Sequence, residues 1–555
     1  MLVCKKSGCS NTSNWVVPQK LQAFVPLIRR DESFFYVIKK FYNVSILKNA
    51  PSLKMIASSF YGKKKGRVTM NIVEYENLKQ YTEQYDMIPV TGELFSDVIT
   101  PITLLRRLKE TCEDCFLLES VENGERIGRY SFLGVNPKFR VYSESNEVTL
   151  CKGNESKVYK EEPLQYLKNL LKQYRSPKIK DMPTFTGGLV GYFSYEMFQL
   201  SEPTVPMKES EFHLYDFMLF DKIIVFDHLT EKIIVIVNMK AKEKEVGYQK
   251  AVDEMKRLSK IIYSDEPVKK SMVYETPKFK SNVTQEEYYN MVEKTKQHIF
   301  EGDIFQGVIS RRFEAEYKSS LLNTYRVMRT INPSPYMYYI KCEDVEIAGV
   351  SPETMVKLVD GKLTTFPVAG TRKRGKTQEE DLLLEKELLA DEKELAEHNM
   401  LVDLARNDIG RLSEYGSVAV EEYMQIHRFS KVMHIASVVT GQIREELDGI
   451  DTVAAMLPAG TLSGAPKIRA CEIIHDVEPV SRGVYGGAIG YIDFSGNLDV
   501  CIGIRTAVKK GEKLYVQAGA GIVADSIPKN EYEECENKAK AVIESVLRAS
   551  EVNEA

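Results

Sequence analysis

Two periodicities alternate along the chain. Short apolar, β-branched runs bounded by turn residues occupy 117–120, 130–134 and 187–192 and predict strands. A hairpin follows, in which 223–226 and 233–237 flank the polar connection Asp227-His228-Leu229-Thr230-Glu231-Lys232. Helical stripes and hairpins alternate through the second half. One helix-compatible segment runs from about 379 to 405 with good helix formers and no Gly or Pro, and another opens at Pro528. Near the end, 486–493, 498–508 and 514–518 read as three strands whose connections, 494–497 and 509–512, are too short for a crossover helix. They must run antiparallel. A doubly wound parallel sheet is therefore disfavoured, and the expected class is α+β: large antiparallel sheets forming a sandwich-like core with helices packed outside. The stretch 263–283 carries Pro and charge without a clear period, which predicts a boundary between an N-terminal region, 70–262, and a second region, 284–550.

Composition narrows the class of protein. The 555 residues are 43% hydrophobic and 28% charged, globular values that exclude a disordered, collagenous or coiled-coil chain. A formal charge of −4 gives no global reason for a nucleic-acid or membrane partner, and no apolar run of eighteen residues offers a membrane span. Nine scattered cysteines fit reduced thiols in a cytoplasmic setting better than a disulfide framework. Charge is uneven: residues 1–69 hold thirteen Lys/Arg against two acids, +11, which leaves −15 for the rest. This basic stretch, which contains Trp15, reads as an extension to the folded chain, a misplaced start or dispensable segment. Its acid-poor character keeps an organellar transit peptide, and with it a plastid or other organelle, as the alternative to the cytoplasm.

Several residue patterns could carry chemistry. Glu394 and Glu397 stand three apart on one predicted helix, and Glu531 and Glu534 repeat the spacing on another. Were those faces to meet, unit charges at about 4 Å would repel by roughly 4 kcal/mol even at an effective dielectric of 20. Protonation or a cation would have to intervene, and hard oxygen ligands without a Cys/His set point to Mg²⁺; each pair alone is more often a solvated face. Gly519-Ala-Gly521-Ile-Val-Ala524 imitates a dinucleotide fingerprint but lacks the parallel strand and acid such a unit requires. Its glycines would admit a carboxylate or other small anion to backbone N–H groups, or simply form a turn. Thr461 sits in a small, donor-rich loop, 458–467, that lacks a P-loop ending. His434 is by default a satisfied core histidine, whereas Arg505, in an apolar strand with Tyr485 nearby in sequence, needs an anionic partner. Cys112 and Cys115 form a single C-x-x-C with no second pair, so neither zinc nor redox work is expected of them.

These pieces occur in one order together with Gly302-Asp-Ile-Phe-Gln306, Ala348-Gly-Val-Ser-Pro352-Glu353 and Pro367-Val-Ala369-Gly370-Thr371-Arg372. That array resembles the chorismate-utilising enzymes and, more narrowly, anthranilate synthase component I; it covers about 285–545, with a looser likeness over 90–260. The resemblance implies roles. Gln306 stands where the water-adding members carry a general-base Lys, and Ala369 where aminodeoxychorismate synthases typically carry a nucleophilic Lys. Direct addition of ammonia to chorismate is what remains, giving anthranilate and pyruvate. Glu397 and Glu534 would bind Mg²⁺, with Glu394 and Glu531 holding its waters. Glu353 would protonate the leaving hydroxyl, and His434 would assist aromatisation; Thr461 falls at a further catalytic position. Tyr485 and Arg505 would hold the enolpyruvyl carboxylate; Gln306, Gly370, Thr371, Gly519, Gly521 and Lys538 would line the rest of the substrate site.

No cysteine has the Gly-x-Cys-x-Gly setting of a class I glutaminase, Cys501 being nearest, so a separate glutamine amidotransferase subunit and a hetero-oligomer are expected. Ser120, Pro335, Tyr336, Met337, Tyr491 and Cys501 match the family's L-tryptophan feedback site, which implies inhibition by binding a state with poor chorismate affinity. Two alternatives stand beside this reading: an aminodeoxychorismate synthase that dispenses with the lysine, and a catalytically silent tryptophan-sensing subunit.

Overall fold

The computed structural model describes residues 70–122, 126–268, 270, 272–428 and 432–553; the segment 1–69 and the readings placed on it lie outside them. The described residues belong to one compact unit. Two large sheets, one of 13 strands and one of 12, dominate it, and among the described residues every strand pairing is antiparallel. The predicted hairpin is present, with Lys222–Asp227 against Lys232–Lys240 and Asp227 opposite Lys232.

Four layers result. Phe116, Phe132 and Tyr338 of the larger sheet meet Val190, Tyr491 and Cys501 of the smaller one in the core between them. The other face of the larger sheet packs on helices Pro101–Lys109, Lys244–Ile262, Leu322–Ile331 and Pro528–Leu547. The other face of the smaller sheet packs on Pro163–Leu171, Glu392–Gly410 and Gly449–Met456. Strand Tyr215–Phe220 is buried on both faces and accordingly apolar except at Asp216, whose carboxylate is paired by the buried Arg140.

The structure departs from the expected organisation in three places. The stretch 263–283 does not separate two bodies: Cys115–Glu119 pairs with Tyr336–Cys342 in one sheet, and Gly188–Phe193 pairs with Ala488–Asp493 in the other. Local composition marks a long connection, but such long-range pairing leaves no local trace. The segment 379–405 is two helices, Gln378–Leu389 and Glu392–Gly410, because the Asp391 side chain caps a new N-terminus by accepting from the Glu394 N–H at 3.2 Å. The run 498–508 is likewise two strands. Leu498–Ile502 lies in the smaller sheet and Thr506–Lys510 in the larger, and Arg505 takes φ 53° where the chain crosses between them. An unbroken strand would have kept Arg505 in the pleat; the crossing delivers it to the site described next.

Candidate active site

A cavity of about 1020 Å³ opens beside strands Gln306–Glu316 and Lys513–Ile522 and helices Glu392–Gly410 and Pro528–Leu547. Glu353 and Thr461 line it, as do Gln306, Gly370, Thr371, Tyr485, Arg505, Gly519, Gly521 and Lys538. All four helix carboxylates, Glu394, Glu397, Glu531 and Glu534, face it as well. Antiparallel pairing of the two strands sets Gly521 opposite Val308, while helix Pro528–Leu547 starts just beyond the strand that carries Gly519 and Gly521. Long-range strand pairing and the local step from strand to helix thus assemble one wall.

Glu353 follows strand Val345–Ser351 and accepts a hydrogen bond from the Thr461 hydroxyl at 2.8 Å. Burial pushes its carboxyl up to about 7, against the opposing pull of the Thr461 hydroxyl and the Lys538 ammonium. It can therefore keep a transferable proton at neutral pH. His434 Nδ1 lies 3.0 Å from the Gly370 carbonyl and 3.0 Å from the Thr371 hydroxyl. Because a carbonyl only accepts, Nδ1 carries the proton and the neutral ring has its lone pair on Nε2. Burial lowers the His434 pKa, which keeps that ring neutral. Its strand is the neighbour of the one that lines the cavity, with Thr371 opposite His434. It therefore supports Gly370 and Thr371 from behind.

Arg505 donates to the Lys538 carbonyl at 3.1 Å, and burial lowers its pKa against the opposing fields of Tyr485 and Glu534. A guanidinium so placed favours an incoming carboxylate. Tyr485 is buried, and a Cβ on Gly519 would come within 2.8 Å of its hydroxyl; one on Gly521 would meet the Gln306 amide nitrogen at 2.5 Å. Both glycines keep the cavity floor open. Behind Tyr485, the buried Arg482 guanidinium donates to Glu478 and to the carbonyls of Val308 and Leu462. Glu478 in turn accepts from the Ser310 N–H at 2.7 Å.

The carboxylates form an all-oxygen set that suits a hard divalent ion. Glu397 is reached by solvent through the cavity, yet protein atoms around it and the charges of Glu394 and Glu534 raise its pKa, burial being the largest cause. Glu531 is raised likewise by burial and by Glu534. A cation between the helices would relieve both. Lys538 now neutralises Glu534 at 2.7 Å and also donates to the Gly519 carbonyl, while Arg372 approaches Glu394 at 3.5 Å. Among the described residues, the trio whose ligand atoms come within 4.8 Å of one another is instead His298, Glu301 and Asp303, where Arg469 already pairs Asp303.

Lys393 and Lys538 both line the cavity. Of the two cavity lysines, Lys538 is expected from the sequence and Lys393 is not. Lys538 is an ion-paired ammonium rather than a free base. Lys393 was legible in principle, since 393, 397 and 400 share a helix stripe with i, i+4 and i+7 spacing. Gln517 and Ser526 also line the wall and left no distinct signal. Ala369 is buried, between Val368 and Gly370, which do line it.

The second set gathers elsewhere, in and around the inter-sheet core. Val121 donates to the Ser334 carbonyl at 3.2 Å, which brings Ser120 beside Pro335 and Tyr336. Tyr336 donates to Asp499 at 2.7 Å, while Tyr491 stacks on Phe185 with centroids 4.4 Å apart and, like Cys501, belongs to the inter-sheet core. Met337 does not join them by its side chain. Strand alternation turns it into the helix-side core.

Residues 113–544 match the family model of chorismate binding enzymes. The chain belongs to the chorismate binding enzyme family. Within that family, it is 47% identical over 492 residues to anthranilate synthase component 1 of Acetivibrio thermocellus, covering 86% of this chain and 99% of the relative. It is 43% identical over 493 residues to the protein of the same name from Aquifex aeolicus, covering 87% and 100%. The crystal structure of anthranilate synthase component I from Streptococcus pneumoniae superimposes with TM-score 0.67 at 40% identity, covering 75% of this chain and 92% of that one. A menaquinone-specific isochorismate synthase from Escherichia coli shares the chorismate binding enzyme fold at 18% identity, with TM-score 0.63 over 85% of this chain and 98% of that one. Among the described residues, no helix is long and apolar enough to cross a membrane.

Proposed function

We propose that the chain is a lyase that converts chorismate and ammonia to anthranilate, pyruvate and water, the entry step to tryptophan. The observation that carries this is Glu353: a carboxylic acid held near neutrality by burial, hydrogen-bonded by Thr461, in a cavity rich in anion-binding groups. Ammonia adds to ring C2 while the C4–O bond breaks, and the hydroxyl departs as water with the proton of Glu353. The C2 proton then leaves to water, and His434 assists this stage by holding Gly370 and Thr371 from behind the wall. The C3–O bond breaks to give enolpyruvate, which becomes pyruvate as the ring becomes aromatic. Arg505 and Tyr485 hold the enolpyruvyl carboxylate through these steps. Gly370, Thr371, Gly519, Gly521 and Lys538 surround the ring and its carboxylate. Gln306, unable to take a proton from water, leaves ammonia as the competent nucleophile.

A Mg²⁺ ion bound by Glu397 and Glu534, with its waters on Glu394 and Glu531, would supply charge neutralisation and an anchor for the ring carboxylate. The ammonia would come from a separate glutamine amidotransferase subunit, and L-tryptophan would inhibit through Ser120, Pro335, Tyr336, Tyr491 and Cys501, with Met337 contributing backbone only. Purified protein with chorismate, Mg²⁺ and ammonium should produce anthranilate fluorescence with stoichiometric pyruvate, and Glu397→Gln should abolish it. Aminated product without pyruvate would instead identify an aminodeoxychorismate synthase. Addition of the amidotransferase should make glutamine a substrate, and tryptophan should shift the chorismate saturation curve to the right. An unmoved curve would remove the feedback assignment.

A further inference from the structure

We propose that the side-chain carbonyl oxygen of Gln517 is the acceptor that holds ammonia in the substrate cavity. The inference rests on the reaction proposed above and adds to it the residue that receives the second substrate. Gln517 lies on strand Lys513–Ile522, two residues before Gly519 and four before Gly521, so strand alternation puts its side chain on the face of those two floor glycines. Its Nε2 donates to the Ser310 hydroxyl oxygen at 2.8 Å. Ser310 stands opposite Gly519 in the neighbouring strand, and a Cβ on Gly519 would come within 3.2 Å of Ser310 Cβ and 2.8 Å of the Tyr485 hydroxyl. The Gln517 amide therefore sits at the cavity floor, beside the group that holds the enolpyruvyl carboxylate in the proposed reaction.

Buried charge behind the floor fixes which way that amide points. Glu478 is ion-paired with the buried Arg482 guanidinium at 2.5 Å, and a carboxylate only accepts. It takes both the Ser310 N–H, at 2.7 Å, and the Ser310 hydroxyl proton, at 2.9 Å. With its proton committed there, the Ser310 oxygen is left to accept from Gln517, which requires Nε2 rather than Oε1 to face it. A turned amide would set two oxygens against each other. Oε1 is thus directed away from Ser310, and no donor among the described residues reaches it. What the cavity binds must supply that donor. Chorismate with both carboxyls ionised has one, the C4 hydroxyl, which the proposed reaction places at Glu353. Ammonia has three N–H groups and, held by one of them, keeps its lone pair free for ring C2. That carbon adjoins the one bearing the enolpyruvyl ether, whose carboxylate Tyr485 holds next to Gln517.

The test separates the two substrates kinetically. Anthranilate fluorescence is followed against ammonium at saturating chorismate, and against chorismate at saturating ammonium, for the unaltered protein, Gln517→Leu and Gln517→Met. Losing one hydrogen-bond acceptor should lower kcat/KM for ammonium about ten-fold, while the chorismate KM changes less than about two-fold. A rise in the chorismate KM with ammonium kinetics unmoved would overturn the proposal and put Gln517 at the enolpyruvyl end instead. Equal losses in kcat/KM for both substrates would also overturn it, as general damage to the site, and so would variants that lose only thermal stability. If Gln517→Leu does not fold, Gln517→Met, whose unbranched side chain fills the same space, is judged by the same criteria. An unaltered protein that makes no anthranilate would remove the proposed function itself. An active one whose Gln517 variants keep their ammonium kinetics would remove the ammonia site alone.

Discussion

Replacing Glu353 by Gln should make the protein slower and, above neutral pH, more stable. Burial moves the Glu353 carboxyl from its ordinary 4.5 to about 7. The folded state thus holds a proton that the unfolded chain has released, and stability falls as pH rises between those values. A shift of this size corresponds to about 3.4 kcal/mol at full development, at roughly 1.36 kcal/mol per unit. Linkage puts about 0.8 kcal/mol of it below about pH 5, which leaves roughly 2.5 kcal/mol to appear between about pH 5 and about pH 8.5. These are upper values, since part of Glu353 opens onto the cavity. Gln keeps the shape and still accepts from Thr461, but it has no charge to desolvate. Denaturant unfolding of both proteins at the two pH values cancels every other titrating group in the difference. Glu353→Gln should gain on the unaltered protein by up to about 2.5 kcal/mol at the higher pH, and its activity should fall about 10²–10⁴-fold. Parallel stability curves would show that Glu353 titrates as an ordinary carboxylate, and the acid assignment would lose its basis.

Arg505→Ala should raise the chorismate KM and lower kcat/KM by about 30- to 1,000-fold, equivalent to about 2–4 kcal/mol for a charged hydrogen-bonding anchor; an unchanged KM would remove the carboxylate-holding role. Gly521→Ala, whose Cβ would meet the Gln306 amide at 2.5 Å, should leave the melting temperature nearly unchanged and raise KM, as steady-state kinetics would show. Arg482→Met strands the Glu478 charge, whose side chain is 3% exposed, and should destabilise the fold by about 3–5 kcal/mol in denaturant titration. Chelation of divalent ions should suppress turnover and added Mg²⁺ should restore it, whereas turnover unaffected by a chelator would contradict the role given to the four acids.

Local properties were legible along the chain because their causes are local. Period-two runs, short connections and Pro528 predicted strands, antiparallel pairing and a helix start, and the i,i+3 carboxylates were read from helix geometry alone. Ordered motifs indicated the family and many of the charged and polar groups that line the cavity. What the tertiary structure decided is what depends on partners distant in sequence. Interleaving of the halves in both sheets follows from pairings such as Leu118 with Tyr338 and Tyr192 with Ile489, each specified by burial on both sides rather than by neighbours. The break that turns 498–508 into two strands arises because the chain changes sheets there, and it directs Arg505 to the cavity. Lys393 became a cavity group, and His434 a support behind Thr371, only when helices and strands met. The acidity of Glu353 was equally out of reach of the sequence: a residue type carries its ordinary pKa, and only the surrounding low-dielectric wall moves it.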